Sequence, residues 1–354
     1  MSRRHVMNRR HVLQLGLGAG ASVLLPAALS GCRRSQGPLL LAAKGSMPVA
    51  WLDQLPSPWR QELVGGSGAV VQGLVAGQRP AAAAPAPAPA PAPALVSLPD
   101  GWAGDLDLNR LQPFGATGFV DRLLPAAWPL SRLYRPEGQP VLAFPWAFSP
   151  WVMVFRSLPG LAARARGQEG WRVLEDPLLK GRLVLPSSPR VAVEIGGADL
   201  TRLQRLRAQA LAYNEVDALS LLLNGDALAA VVPLQRLIPL LRRDSRLEVA
   251  WPGSGAPLTW QLLLRPAGMQ PEPPHQWLEA LFEQPLLARI LAGGWVPPLP
   301  HSALAQALEL QPRQIRELLL PTDAVLQRCW SLPPLSPKRR LAMQTLWDAA
   351  APPV

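Results

Sequence analysis

Cysteine is almost absent from this sequence: Cys32 and Cys329 are the only two in 354 residues. That excludes a disulfide framework and a Cys-rich zinc module. Histidine is nearly as scarce, and two of the four, His5 and His11, stand at the extreme N-terminus. His275 and His301, each next to a proline, are the only imidazoles left for a triad base or a metal site. Gly-x-Ser-x-Gly, Ser-x-x-Lys and His-Glu-x-x-His are all missing, so the sequence offers no hydrolase or metalloprotease signature. It implies no enzyme, no metal and no cofactor. Tyrosine occurs twice, as Tyr134 and Tyr213, which argues against a ferric site built from paired phenolates. Lysine is limited to Lys44, Lys180 and Lys338, so the basic side of the +11 net charge is almost all arginine. Those arginines are scattered and form no basic stripe, so nucleic acid is not an expected partner.

What the chain does have is an apolar fraction of 49 %, enough for a sizeable core, and a length suited to about two domains. It also has 42 prolines and 13 tryptophans.

The first 31 residues read as an export signal. Arg3, Arg4, Arg9 and Arg10 precede an uncharged stretch from Val12 to Cys32, which is short and broken by glycine and so is a poor membrane span. It ends in Leu29-Ser30-Gly31-Cys32, which resembles a bacterial lipobox in which Cys32 receives the lipid; the competing reading is a chance cysteine in an uncleaved anchor. Asn8-Arg9-Arg10-His11-Val12-Leu13 resembles a twin-arginine export motif, against an ordinary basic leader. An upstream near-copy, Ser2-Arg3-Arg4-His5-Val6, leaves either Met1 or Met7 as the start. Cleavage removes four arginines and no acid, which lowers the net charge from +11 by four. Residues 32–37 are then a tether, and Cys329 is left alone as a small buried hydrophobe.

Along the mature chain, strands are expected at 38–43, 94–98, 151–155, 183–185, 227–232, 247–251 and 258–264. Helical spacing is read at 49–64, 200–212, 216–223 and 234–241, and over 275–292 and 302–347 with proline breaks. Asn224-Gly225 suits a helix end. Residues 80–94 form a Pro/Ala repeat without a periodic apolar face, a surface insertion rather than a boundary. Strands alternating with helices argue an α/β fold with largely parallel sheets.

Several segments carry a family likeness. Leu95-Val96-Ser97-Leu98-Pro99-Asp100-Gly101-Trp102 with Leu111-Gln112-Pro113 is one, and Leu142-Ala143-Phe144-Pro145-Trp146 with Trp151–Phe155 is another. Trp171-Arg172-Val173-Leu174-Glu175-Asp176-Pro177 with Lys180-Gly181-Arg182-Leu183 is the most specific, and Leu223-Asn224-Gly225-Asp226-Ala227, Leu258-Thr259-Trp260 and Arg265-Pro266 complete the set. In this order they resemble the periplasmic solute-binding proteins of ABC importers, in the spermidine/putrescine-binding branch, over roughly residues 38–300. The resemblance implies a two-lobed, type II-like α/β fold with two crossover strands and a C-terminal helical tail. Lobe one would be 38–152 plus 260–354, and lobe two 153–259. It implies a monomeric receptor in the periplasm, held to the membrane by the lipid on Cys32, that passes a small molecule to an ABC transporter permease.

Ligand contacts are expected in the loops after successive strands, where open α/β sheets bind their ligands. These are Lys44 and Ser46; Ser97, Asp100 and Trp102; Trp146; Ser187, Ser188 and Arg190; Gln235; and Trp260 with Gln261. Trp102, Trp146 and Trp260 are candidate aromatic walls, with plain core packing as the competing role for each. The branch's polyamine binders carry acids at places that here resemble Ser188, Val191 and Gln261, so Asp100 is the one carboxylate left. The loop Pro186-Ser187-Ser188-Pro189-Arg190 equally suits an acidic group, and anionic and zwitterionic ligands both remain open. The rival function is a non-transporting lipoprotein of the same fold with an interaction or assembly role.

Overall fold

The structure, a computed structural model, describes residues 37–77, 92–115 and 117–352. The export signal, Cys32 and most of the Pro/Ala repeat lie outside the described residues. Ten strands succeed one another in chain order: β1 (Leu39–Ala43), β2 (Arg60–Val64), β3 (Leu95–Pro99), β4 (Leu111–Gln112), β5 (Ala143–Arg156), β6 (Leu183–Leu185), β7 (Ala210–Tyr213), β8 (Ala229–Pro233), β9 (Leu247–Ala250) and β10 (Leu258–Pro266). Their order in space is β2-β1-β3-β10-β5-β8-β6-β7, with β4 beside β10 and β9 beside β5.

Two parallel half-sheets emerge from this order. β1 pairs in parallel with β2 and β3, and β6 pairs in parallel with β7 and β8. The antiparallel pair β5/β10 joins them. β5 is the crossover: Ala143–Pro150 runs against β10, and the rest runs against β8 and β9. Its sequence explains the double duty. Thirteen of its 14 residues are buried, so both faces are covered. Val152 and Val154 join one core, while Trp151, Met153 and Phe155 join the other. Pro145 and Pro150 do not interrupt it. Among the described residues, the edge away from β10 at that end is bonded through the bridge in which the Phe148 N–H donates to the Val296 carbonyl, so a missing N–H is tolerated.

The larger core is anchored by aromatic rings. Trp51 stacks on Trp277 at 4.3 Å, and each indole N–H donates to the other residue's backbone carbonyl at 2.9 Å. This core continues from the β1 half-sheet across one face of the β8/β6 half-sheet, through Leu234, Leu237 and Ile238. The smaller core covers the other face of that half-sheet.

Three sequence expectations are corrected. The helix over 49–64 is only Val49–Leu52, because Pro56 and Pro58 end it and Arg60–Val64 pairs with β1 as a strand. The helix over 200–212 stops at Ala208, and Ala210–Tyr213 becomes β7. Residues 275–292 form two helices, His275–Ala280 and Leu286–Ala292. The helix Ala218–Asn224 ends as read, with Gly225 left-handed at φ +87. Among the described residues no helix is long and apolar enough to cross a membrane.

Candidate ligand cleft

β3 and β6 are the parallel strands whose C-terminal ends face the cleft, and each runs into a short helix. After β3, Pro99 is extended and Asp100 opens the helix Asp100–Ala103. Its side chain turns toward β10: Oδ1 accepts the Trp260 N–H at 3.1 Å and the Thr259 hydroxyl at 3.4 Å. Oδ2 is buried with no partner, and the residue is 8 % exposed. Burial pushes the Asp100 carboxyl up from 3.8 to about 6, against the N–H groups of Trp260 and Gly101, the Thr259 hydroxyl and the nearby charge of Arg190.

After β6, Ser188 precedes the helix Pro189–Ile195 and Arg190 sits in its first turn. Arg190 Nη2 donates to the Pro333 carbonyl at 2.5 Å, and its Nε is buried without a partner. Burial lowers the guanidinium pKa, while Glu194, Asp100, Tyr134 and Asp105 raise it. Asp100, Ser188 and Arg190 line one cavity of about 230 Å³, with Leu332, Pro334 and Met343 as its apolar wall. These three sequence candidates are therefore brought together by the fold.

Other candidates have different surroundings. Ser187 is occupied: its N–H and hydroxyl both donate to the Glu215 carboxylate, at 2.7 and 2.9 Å. That carboxylate fills the place an acidic ligand would take on this serine. Trp146 is fully buried between Trp51 and Trp295, at 5.2 and 5.0 Å, so it is a core residue here and not a cleft wall. Trp102 is 48 % exposed and comes near Gly68. Lys44 is exposed in the turn after β1, and the Ser46 hydroxyl donates to the Ala43 carbonyl in that turn. Ser97 is buried in β3 with its hydroxyl unpartnered, and Gln261 has a buried, unpartnered Oε1 on β10. Gln235 receives its backbone anchor from Ser149, whose hydroxyl accepts the Gln235 N–H at 3.0 Å.

The residues that sequence reading missed belong to the tail. Trp330 joins the edge of β10: Leu258 N–H donates to its carbonyl at 2.8 Å, and its N–H donates to Ala256 at 3.2 Å. Gly255 allows the chain this close, since at φ +90 a Cβ there would sit 2.0 Å from the Arg328 carbonyl oxygen. The Trp260 indole N–H donates to the Ser331 hydroxyl at 3.0 Å, which leaves the Trp260 ring 1 % exposed beneath the tail. Pro334 rests on Gly104, where a Cβ would meet it at 2.7 Å. The last helix, Pro337–Ala349, then lies on the helices Pro189–Ile195 and Leu200–Ala208. Arg207 stacks over the Trp347 ring at 3.9 Å, and Ala350 is fully buried. At the rim Arg340 pairs with Asp105 at 2.5 Å. Tyr134 is the second unforeseen neighbour, beside Ser331, Asp100 and Arg190; burial holds its hydroxyl above the usual phenol range. It is left-handed at φ 63, a conformation a β-carbon disfavours and no local motif announced.

No protein family and no curated protein matches the sequence. Solved structures do match. The spermidine/putrescine ABC transporter substrate-binding protein from Streptococcus pneumoniae is 13 % identical and superposes with a TM-score of 0.68 over 89 % of this chain and 98 % of that one. A spermidine/putrescine ABC transporter protein from Listeria monocytogenes is 15 % identical, with a TM-score of 0.62 over 89 % and 98 %. A periplasmic thiamin binding protein is 12 % identical, with a TM-score of 0.60 over 89 % and 96 %. At such identities the likeness establishes the fold: this chain has the two-lobed architecture of ABC-transporter substrate-binding proteins. The neighbours' ligands differ, so the fold does not choose among solutes.

Proposed function

We propose that the chain is the extracytoplasmic solute receptor of an ABC importer, a monomer tethered to the membrane by a lipid on Cys32. It takes a small polar or charged organic molecule between its two halves and presents it to a permease. The observation that carries this reading is the cavity of about 230 Å³ between the ends of β3 and β6, lined by Asp100 from one half-sheet and by Ser188 and Arg190 from the other. Unpartnered polar atoms buried around a cavity are costly unless something hydrogen-bonds to them, and a ligand is what a receptor supplies. The shared fold supports a binding role rather than catalysis.

The test is to purify the protein without denaturation, release any bound small molecule and identify it by mass spectrometry. A receptor yields a near-stoichiometric solute. Adding that solute back at 100 times its Kd should stabilise the fold by about 2.7 kcal/mol. Labelling of Cys32 by radioactive fatty acid, absent in Cys32→Ser, tests the tether.

A second reading, a non-transporting lipoprotein with an interaction role, draws on the tail. Ser331 to Pro334 already occupies space over Trp260 and Arg190. Failure of every solute to stabilise the protein would favour it.

A further inference from the structure

We infer that the cleft is built for a small zwitterion, with its ammonium group on Asp100 and its acid group on Arg190 and Ser188. This rests on the receptor reading above and narrows the class of solute.

Two opposite charges around a single cavity carry the inference. Asp100 and Arg190 line it together with a second acid and arginine, Asp105 and Arg340. They are near enough for each to feel the other's charge, yet among the described residues they form no ion pair within 4 Å. Arg190 is held off by the Pro333 carbonyl, and Asp100 by Trp260 and Thr259. Each keeps one buried hydrogen-bonding atom without a partner, Oδ2 on Asp100 and Nε on Arg190. Glu194, one turn further along the same helix, also acts on Arg190, and the remaining charges at this place are engaged. Asp105 is paired with Arg340, and Glu215 is seated on Ser187.

A ligand of one sign leaves half of this arrangement unsatisfied. A diamine neutralises Asp100 and then brings its second ammonium toward Arg190. A simple acid satisfies Arg190 and crowds the Asp100 carboxylate. Like charges brought together out of water are strongly disfavoured. A short molecule with both groups satisfies both ends, and its methylenes meet Leu332, Pro334 and Met343. Ser188, exposed and without the carboxylate that occupies Ser187, has a hydroxyl to offer the acid end.

The experiment titrates the mature chain with a matched four-carbon series: 4-aminobutyrate, 1,4-diaminobutane, butyrate and succinate. Calorimetric titration and thermal shift are run on the wild type, Asp100→Asn and Arg190→Gln. Asp100→Asn keeps side-chain size and Arg190→Gln replaces the guanidinium with a shorter neutral amide; the folding of both is checked by circular dichroism and by the unliganded Tm. A third variant, Gly101→Leu, fills the cavity without changing a charge, because a Cβ there enters open space. The expected result is that 4-aminobutyrate binds best of the four, that each charge variant weakens it by at least about tenfold, and that Gly101→Leu abolishes it. Diamine binding lost in Asp100→Asn but kept in Arg190→Gln overturns the inference in favour of a cation site. Butyrate or succinate binding lost only in Arg190→Gln overturns it in favour of an anion site. Binding of none of the four also overturns it. In that case a co-purifying solute of another class leaves the receptor reading standing, and the absence of any solute removes both.

Discussion

The loops after β3 and β6 occupy equivalent places in the two half-sheets, and they are finished in opposite ways. After β3 the proline is followed by an acid, Pro99-Asp100, and that acid is buried with half of its carboxylate unpartnered. After β6 the proline is followed by a base, Pro189-Arg190, while the neighbouring Ser187 is saturated by Glu215 from within the chain. Similar topology thus delivers one uncompensated negative group and one positive group to the same cavity. The contrast lies in which side chains the fold leaves unsatisfied, and the architecture, shared with proteins of other ligands, does not fix it.

The largest effect that sharpens this comparison is on stability. The Asp100 carboxyl is raised from 3.8 to about 6, so the native state binds its proton more tightly than the unfolded chain does. Between those values the folded state holds this proton more often than the unfolded chain does, so the Asp100 contribution to stability falls as pH rises from about 4 to about 6 and stays low above. The total is about 3 kcal/mol at about 1.4 kcal/mol per pH unit. Asp100→Asn should therefore match the wild type near pH 4 and exceed it by up to about 3 kcal/mol at pH 8. Urea unfolding at several pH values checks this. A variant less stable than wild type at pH 8 would mean that the carboxylate is compensated after all.

On the opposite loop the sign should reverse. Glu215→Ala removes two charge-assisted hydrogen bonds to Ser187, with an expected loss of about 1–2 kcal/mol. It should also let sulfate or a free carboxylic acid bind at Ser187, visible as a new salt-specific rise in Tm. Next, solute affinity should fall about tenfold per pH unit below about 6, as Asp100 takes up its proton. Asp105 lines the same cavity and Glu194 acts on Arg190, so the slope is assigned to Asp100 by its disappearance in Asp100→Asn. The smallest effect is expected at the rim. Asp105→Asn breaks an exposed pair with Arg340 and should cost under about 1 kcal/mol.

Much of the fold was legible because local pattern sufficed. The buried runs Leu39–Ala43 and Trp151–Phe155 and the Asn224-Gly225 stop are written in consecutive residues. β2 and β7 were hidden because each comes after a helical stretch and is fixed only by a neighbour, β1 or β6, that supplies the ladder. In the cleft, Asp100, Ser188 and Arg190 could be found by looking at the residues just past the end of each strand. The docking of Glu215 on Ser187 and of Pro333 on Arg190 could not, since those contacts join residues 28 and 143 positions apart. Trp146 shows the same limit from the other side. Its sequence neighbours suit a cleft wall, and only the arrangement of Trp51 and Trp295 around it makes it core.

The most direct test is a crystal structure of the protein with its co-purified solute retained. The expected result is one molecule in the cavity between the ends of β3 and β6, its ammonium nitrogen within hydrogen-bond distance of the Asp100 carboxylate and its acid oxygens on Arg190. A solute touching only one of the two residues, or seated elsewhere, would contradict it.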